Sequence, residues 1–173
     1  MNNNDIIRRI RYIFDFSDSQ MINMFSLVDH EVTREQISDW MKKDDDPAHV
    51  GCSDAELATF LNGLINEKRG KKEGPQAEPE QRLNNNIIFR KLRIALNFKD
   101  DDILKTIELA GFRLSKGELS AFFRKPNHKH FRPCMDQMLR NFLKGLQLHY
   151  RPDSAKRPSF QWQNNNGTTN AHR

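Results

Sequence analysis

No run of apolar residues in this chain approaches the roughly 18–20 that a bilayer-crossing helix needs, so no membrane span is expected. The opening residues Met1-Asn2-Asn3-Asn4-Asp5 have no basic start followed by an apolar stretch, and no export signal is read there. Cysteine is scarce. Two of 173 residues, with no export signal, point to free thiols in a reducing compartment. Catalytic signatures are missing as well. The chain contains no G-x-x-x-x-G-K-[ST], G-x-G-x-x-G, H-E-x-x-H or G-x-S-x-G. No catalytic residue, cofactor or metal is therefore expected, and the reading is of a non-enzymatic protein. Apolar residues make up 36% of the chain and mean hydropathy is −0.82. That is low, but above the range of a wholly disordered chain.

What the chain does have is a copy of itself. Shifted by 82 positions, residues 2–69 align with 84–151 without a gap, with 19 identities in 68 positions. Asn2-Asn3-Asn4 falls on Asn84-Asn85-Asn86, Arg8 and Arg11 on Arg90 and Arg93, and Asp18 on Asp100. The best-matched segment is Cys52-x-Asp54-x-x-Leu57-x-x-Phe60-Leu61-x-Gly63-Leu64, which falls on Cys134-x-Asp136-x-x-Leu139-x-x-Phe142-Leu143-x-Gly145-Leu146. Residues 1–69 form a first repeat and 84–151 a second. Residues 70–83 are a Gly-, Pro- and charge-rich linker, and 152–173 a tail without apolar period, expected to be disordered. Phe160 and Trp162 are the tail's only large aromatics.

Each repeat reads as four helices. Ile6, Ile7, Ile10, Ile13 and Phe14 form the stripe of a first helix, capped by Asn4 or a neighbouring Asn. A second helix follows Asp18, and Gly111 is placed to end its second copy in a left-handed cap. Thr33-x-x-Gln36 and Ser115-x-x-Glu118 are capping boxes for the third helix, and Ser53-x-x-Glu56 for the fourth. Gly63 and Gly145 lie inside the fourth helix. A mid-helix glycine disfavours the helix by about 1 kcal/mol against alanine, so its presence in both copies predicts that another helix backbone crosses there. No alternating β pattern of useful length occurs. The fold class is all-α: two tandem four-helix units, each marginal alone and expected to pack together.

Charge divides between the copies. Residues 2–69 sum to −5 and residues 84–151 to +8. Two readings compete: opposite fields that dock the repeats or join identical chains head to tail, and a basic surface for nucleic acid or another polyanion. Arg124, Lys125, Lys129 and Arg132 cluster in one loop with His128, His130 and Phe131. Asn4, Arg8 and Arg11 share one face of the first helix, and Asn86, Arg90 and Arg93 repeat the set. Paired guanidinium groups suit carboxylates or phosphates. The bland alternative is internal pairing with Asp18 and Asp100, or with Asp54 and Asp136. Cys52 and Cys134 stand where a helix N-terminus could activate a thiol, but a small buried apolar role is the reading preferred. His128, His130 and Cys134 do not have the spacing of a zinc site.

Asn2-Asn3-Asn4-Asp5-Ile6-Ile7-Arg8-Arg9-Ile10-Arg11-Tyr12, Phe60-Leu61-Asn62-Gly63-Leu64-Ile65-Asn66-Glu67-Lys68-Arg69-Gly70 and Asn84-Asn85-Asn86-Ile87 together resemble the YehS-like family. These are bacterial proteins with two copies of a domain of unknown function. The likeness covers roughly residues 1–150. It implies a cytoplasmic protein and brings no activity, cofactor or catalytic residue.

Three functional readings follow. The first is an adaptor with a protein partner. The second is a nucleic-acid binder using Arg90, Arg93, Arg124, Lys125, Lys129 and Arg132. The third is a small-molecule site in the groove between the copies, with Arg8 or Arg90 as anion anchor.

Overall fold

The computed structural model describes residues 1–156. Among these the chain forms eight α-helices and no strand. The first repeat contains α1 (Asn3–Phe14), α2 (Asp18–Ser26), α3 (Arg34–Met41) and α4 (Asp54–Arg69). The second contains α5 (Asn85–Leu96), α6 (Asp100–Leu109), α7 (Lys116–Phe122) and α8 (Asp136–Tyr150). A 3-10 turn, Pro152–Lys156, follows α8 and is tied back to it by Gln147 Nε2, which donates to Ser154 Oγ at 2.9 Å. Structure thus continues past the boundary expected at 151. Phe160 and Trp162 lie outside the described residues.

The local signals explain the helix ends. Asn2 caps α1 by accepting from the Asp5 N–H at 2.8 Å, and Asn84 caps α5 by accepting from the Ile87 N–H at 2.9 Å. The three predicted capping boxes close α3, α4 and α7. Gly111 takes φ +81° after α6.

The fourth helix of each repeat crosses the second at its glycine. A Cβ on Gly63 would lie 1.7 Å from the Met24 carbonyl oxygen, and one on Gly145 would lie 1.9 Å from that of Thr106. Met24 and Thr106 are themselves 82 residues apart, so the two crossings are the same contact made twice.

Between the repeats, first and fourth helices exchange partners. α1 lies along α8 with the ends in register: the Met1 amine nitrogen is 3.3 Å from Asp136 Oδ2, and the Phe14 and Tyr150 rings are 5.0 Å apart. α5 lies along α4 in the same sense. The Leu83 N–H donates to Asp54 Oδ2 at 2.9 Å, and Lys91 Nζ donates to Asn62 Oδ1 at 2.6 Å. Met1–Asp136 and Leu83–Asp54 are equivalent under the 82-residue offset, so the repeats meet as in a two-fold dimer whose halves share one chain. The four central helices are consequently parallel, and residues 70–83 return the chain along their length.

Parallel helix dipoles repel, and the ends carry charge of the compensating sign. Asp5, Asp54, Glu56 and Asp136 stand at the N-terminal end, and Arg11, Lys68, Arg69 and Arg93 at the other.

One continuous apolar core runs through both repeats. Within it the copies exchange bulk. In the first repeat Phe25 packs on Trp40 and Phe60 at 5.5 and 5.8 Å. In the second it is Phe89, the counterpart of Ile7, that packs on the equivalent Phe122 and Phe142 at 6.2 and 4.7 Å, with Ile107 at the position of Phe25. Ile7, Phe25, Phe89 and Ile107 are all fully buried. Such a swap conserves core volume.

Alanine at Gly63 or Gly145 must push two helix backbones apart. Each substitution is expected to lower the unfolding free energy by more than about 3 kcal/mol in denaturant titration. Gly117→Ala meets only Ser115 Oγ at 3.9 Å. It is expected to be neutral, or to add up to about 1 kcal/mol.

Candidate functional site

The three asparagines that open each repeat have separate jobs. The first caps the helix. The second reaches the fourth helix: Asn3 Nδ2 donates to Asp54 Oδ1 at 2.7 Å and to the Cys52 carbonyl, and Asn85 does the same with Asp136 Oδ1 at 2.8 Å and the Cys134 carbonyl. The third pins the loop between the third and fourth helices. Asn4 Nδ2 donates to the Trp40 and Val50 carbonyls while Asn4 Oδ1 accepts from the Cys52 N–H. Asn86 repeats this with the Phe122 and Arg132 carbonyls and the Cys134 N–H. Both are buried, and three of their hydrogen bonds go to backbone, so Asn4 and Asn86 build the frame beneath the loops.

The arginines divide. Arg11 pairs with Asp18 at 2.7 Å and Arg93 with Asp100 at 2.9 Å, the internal pairing anticipated from sequence. Arg93 also stacks on the Phe123 ring at 4.7 Å. Arg8 and Arg90 do not pair with Asp54 and Asp136, whose bonds go to Asn3 and Asn85. Arg8 pairs with Asp5 and donates to the Lys42 carbonyl at 2.8 Å. In the second repeat the equivalent of Asp5 is Ile87. Arg90 is exposed, reaches the Phe123 carbonyl at 3.5 Å, and has no carboxylate partner among the described residues. The sequence-predicted set therefore does not form one site.

Arg124, Lys125, Lys129 and Arg132 do come together, on the exposed loop between α7 and α8, and none meets a carboxylate among the described residues. The loop is held from within: the Arg132 N–H donates to the Ala121 carbonyl at 3.1 Å, and the His130 N–H to His128 Nδ1 at 3.0 Å. Beside it opens a groove of about 720 Å³ lined by apolar Phe112, Ala121, Phe122, Met135 and Met138 and by polar Arg124, His130, Arg132 and Glu118, whose Oε1 accepts from the Ser115 N–H at 3.1 Å. Phe112 is 41% exposed and Met135 67%. The sequence reading picked out the cations and missed the apolar floor. Its signal was present in the alignment, where Met135 and Met138 replace the capping-box residues Ser53 and Glu56.

These cations do not dock the repeats. The contacts that cross between the halves are largely apolar, with a few polar ties: Lys91 to Asn62 at 2.6 Å, Arg151 to Asp15 at 3.7 Å, and Arg151 stacked 4.1 Å over Tyr12. A second cavity, of about 470 Å³, does lie where the repeats meet, lined by Lys68, Arg69, Ala95, Leu96, Asn97 and Tyr150. Neither Arg8 nor Arg90 reaches it, so the anion anchor expected there is absent. Among the described residues no group of three or more His, Cys, Asp or Glu could hold a metal ion. Among the same residues no helix is long and apolar enough to cross a membrane.

The thiols are structural. Cys52 and Cys134 are free and buried, and burial pushes both up to about 12, with Asp54 and Glu56 beside the first and Asp136 beside the second adding to the shift. At neutral pH such thiols stay protonated. Iodoacetamide is expected to alkylate them at least about 100-fold more slowly in the native state than in denaturant.

Asp54 is held below the usual carboxylate range by the hydrogen bonds from Asn3 and the Leu83 N–H, and Asp136 chiefly by that from Asn85. A lowered folded value means that the unfolded chain binds protons more readily. The stabilisation is therefore complete above the unfolded value of about 3.9 and is lost as pH falls through the folded one. Asp54→Asn and Asp136→Asn are expected to lower stability at pH 7 and to make its decline between about pH 5 and 2 shallower, as measured by urea titration at each pH.

The chain matches the family described as protein of unknown function DUF1456 twice, over residues 3–70 and 85–151. It is 48% identical over 147 residues to the Uncharacterized protein YehS of Escherichia coli (strain K12), covering 84% of this chain and 94% of that protein. No solved structure matches. With both repeats matched along nearly their whole length, the chain belongs to the DUF1456 family as a tandem pair.

Proposed function

We propose that the protein is a non-enzymatic cytoplasmic binding protein, an adaptor whose second repeat meets a protein partner while the first completes the fold. The observation that supports this reading is the unequal divergence of the two copies. Their asparagine bonds and glycine crossings match between the copies. Their outer faces differ, and at the α7–α8 end the second repeat joins unneutralised cations to exposed apolar side chains. Exposed Met and Phe rimmed by charge are a common makeup for a protein-contact surface.

The full chain and its Arg124→Glu, Arg132→Glu double variant, each immobilised, can be exposed to nuclease-treated cell lysate at about 150 mM salt. At least one protein is expected to be retained by the wild type and lost from the variant. Identical retention would remove the basis of the reading.

A second reading, nucleic acid, is favoured by one observation: Arg90, Arg124, Lys125, Lys129 and Arg132 are all exposed without a carboxylate among the described residues. It requires binding at low salt, with an affinity that falls by about 0.7–0.9 log units per log unit of salt for each phosphate contacted. A gel shift with no complex at low salt ends it.

A further inference from the structure

We propose that the groove beside α7 and the N-terminus of α8 is the binding site for an acidic amphipathic helix carried by a partner protein. The proposal deepens the adaptor reading and rests on it. The two repeats serve as a comparison of one surface with and without the site. In the first repeat the position is polar. Ser53 Oγ accepts from the Glu56 N–H at 3.1 Å and Glu56 Oε1 accepts from the Ser53 N–H at 2.9 Å, with Glu35 and Asp39 on the neighbouring helix. In the second repeat those four positions are Met135, Met138, Gly117 and Ala121. Two acids on α3 become small residues, a reciprocal cap becomes two thioethers, and α8 is left with no side-chain cap. Each of these changes removes polarity or bulk from one spot, although Glu118 stands where the first repeat has Gln36, and together they give the groove its apolar lining.

The occupant follows from the chemistry of floor and rim. Phe112, Met135 and Met138 call for apolar side chains, and methionine's flexible thioether moulds to varied apolar partners. Arg124, His130 and Arg132 line the groove too. The carboxylate of Glu118, also in the lining, is taken by the Ser115 N–H at 3.1 Å, and neither arginine is paired with an acid among the described residues, so two guanidinium groups are left for acidic side chains of the occupant. An apolar stripe at i, i+3, i+4 flanked by Asp and Glu meets both demands on a single helix. A nucleic-acid backbone would satisfy the rim and leave the floor uncovered. The acidic repeat of a second copy offers Asp44, Asp45 and Asp46 but only Val50 as a large exposed apolar side chain.

The test is selection of a displayed library of random 16-residue peptides on the full chain, with counter-selection on a Met135→Ser, Met138→Glu double variant. That variant rebuilds the first repeat's capping box, so it keeps its fold while losing the apolar floor. Enriched peptides are expected to carry net negative charge and a helical apolar period. In fluorescence anisotropy their dissociation constants should rise at least tenfold on the variant and also on Arg132→Glu. Enrichment of variant-sensitive peptides without acidic charge or helical period overturns the proposal and leaves the adaptor reading standing. Absence of any variant-sensitive peptide, with a single-stranded DNA probe bound instead, overturns both. Concentration-dependent self-association of the wild type, abolished in the double variant, assigns the face to a second copy and also overturns the proposal.

Discussion

Asp54 and Asp136 are the points on which the architecture turns. Each carboxylate sits at the start of a fourth helix, where the helix field already favours negative charge. Each accepts from an asparagine of its own repeat, at 2.7 and 2.8 Å, and from the nitrogen that opens the other repeat, at 2.9 and 3.3 Å. One side chain thereby fixes two things: the register of the first helix against the fourth, and the register of one repeat against the other. Four parallel helices would otherwise have little reason to align their ends, since their dipoles oppose it. The glycine crossings work at right angles to this constraint and set how closely the second helix approaches the fourth.

A duplicated bundle with this exchange cannot be taken apart easily. α1 buries Ile6, Ile10 and Ile13 and lies along α8, while α5 lies along α4. Removing either repeat would leave the first and fourth helices of the other facing water. This is the physical reason for one core instead of two. It also explains why a unit too small to be comfortably stable alone persists as a pair.

Much of the fold was legible because the offset of 82 reads each position twice. Capping boxes retained through a change of residues, Thr33/Gln36 against Ser115/Glu118, signal that the hydrogen bonds and not the residues are kept. A glycine retained inside a helix signals a neighbour at its Cβ. The asparagine triplet was visible as a motif, but not the division of labour within it, because capping, tethering and loop-pinning all call for the same amide. The exchange of Ile7 and Phe25 for Phe89 and Ile107 was also present in the alignment. It goes unseen in a search for identities, because compensation in a core is a property of pairs. The candidate site was half legible. Cations announce themselves in a sequence, whereas Met135 and Met138 look like ordinary helix residues until the capping box they displaced is noticed.

The distribution of differences carries the functional argument. If charge had split in order to glue the repeats together, the exchanged charges would lie in the seam. They lie elsewhere: the seam holds Lys91 against Asn62 and Arg151 against Asp15 and Tyr12, while Arg124, Lys125, Lys129 and Arg132 are exposed on the loop between α7 and α8. Uncompensated surface charge does nothing for the fold, and an unsatisfied helix start works slightly against it. In the adaptor reading proposed above, these changes, gathered in one place on one copy while the other keeps its capping box, mark the surface that the partner meets. The first repeat, in the same reading, supplies the half of the shared core without which the second could not present that surface.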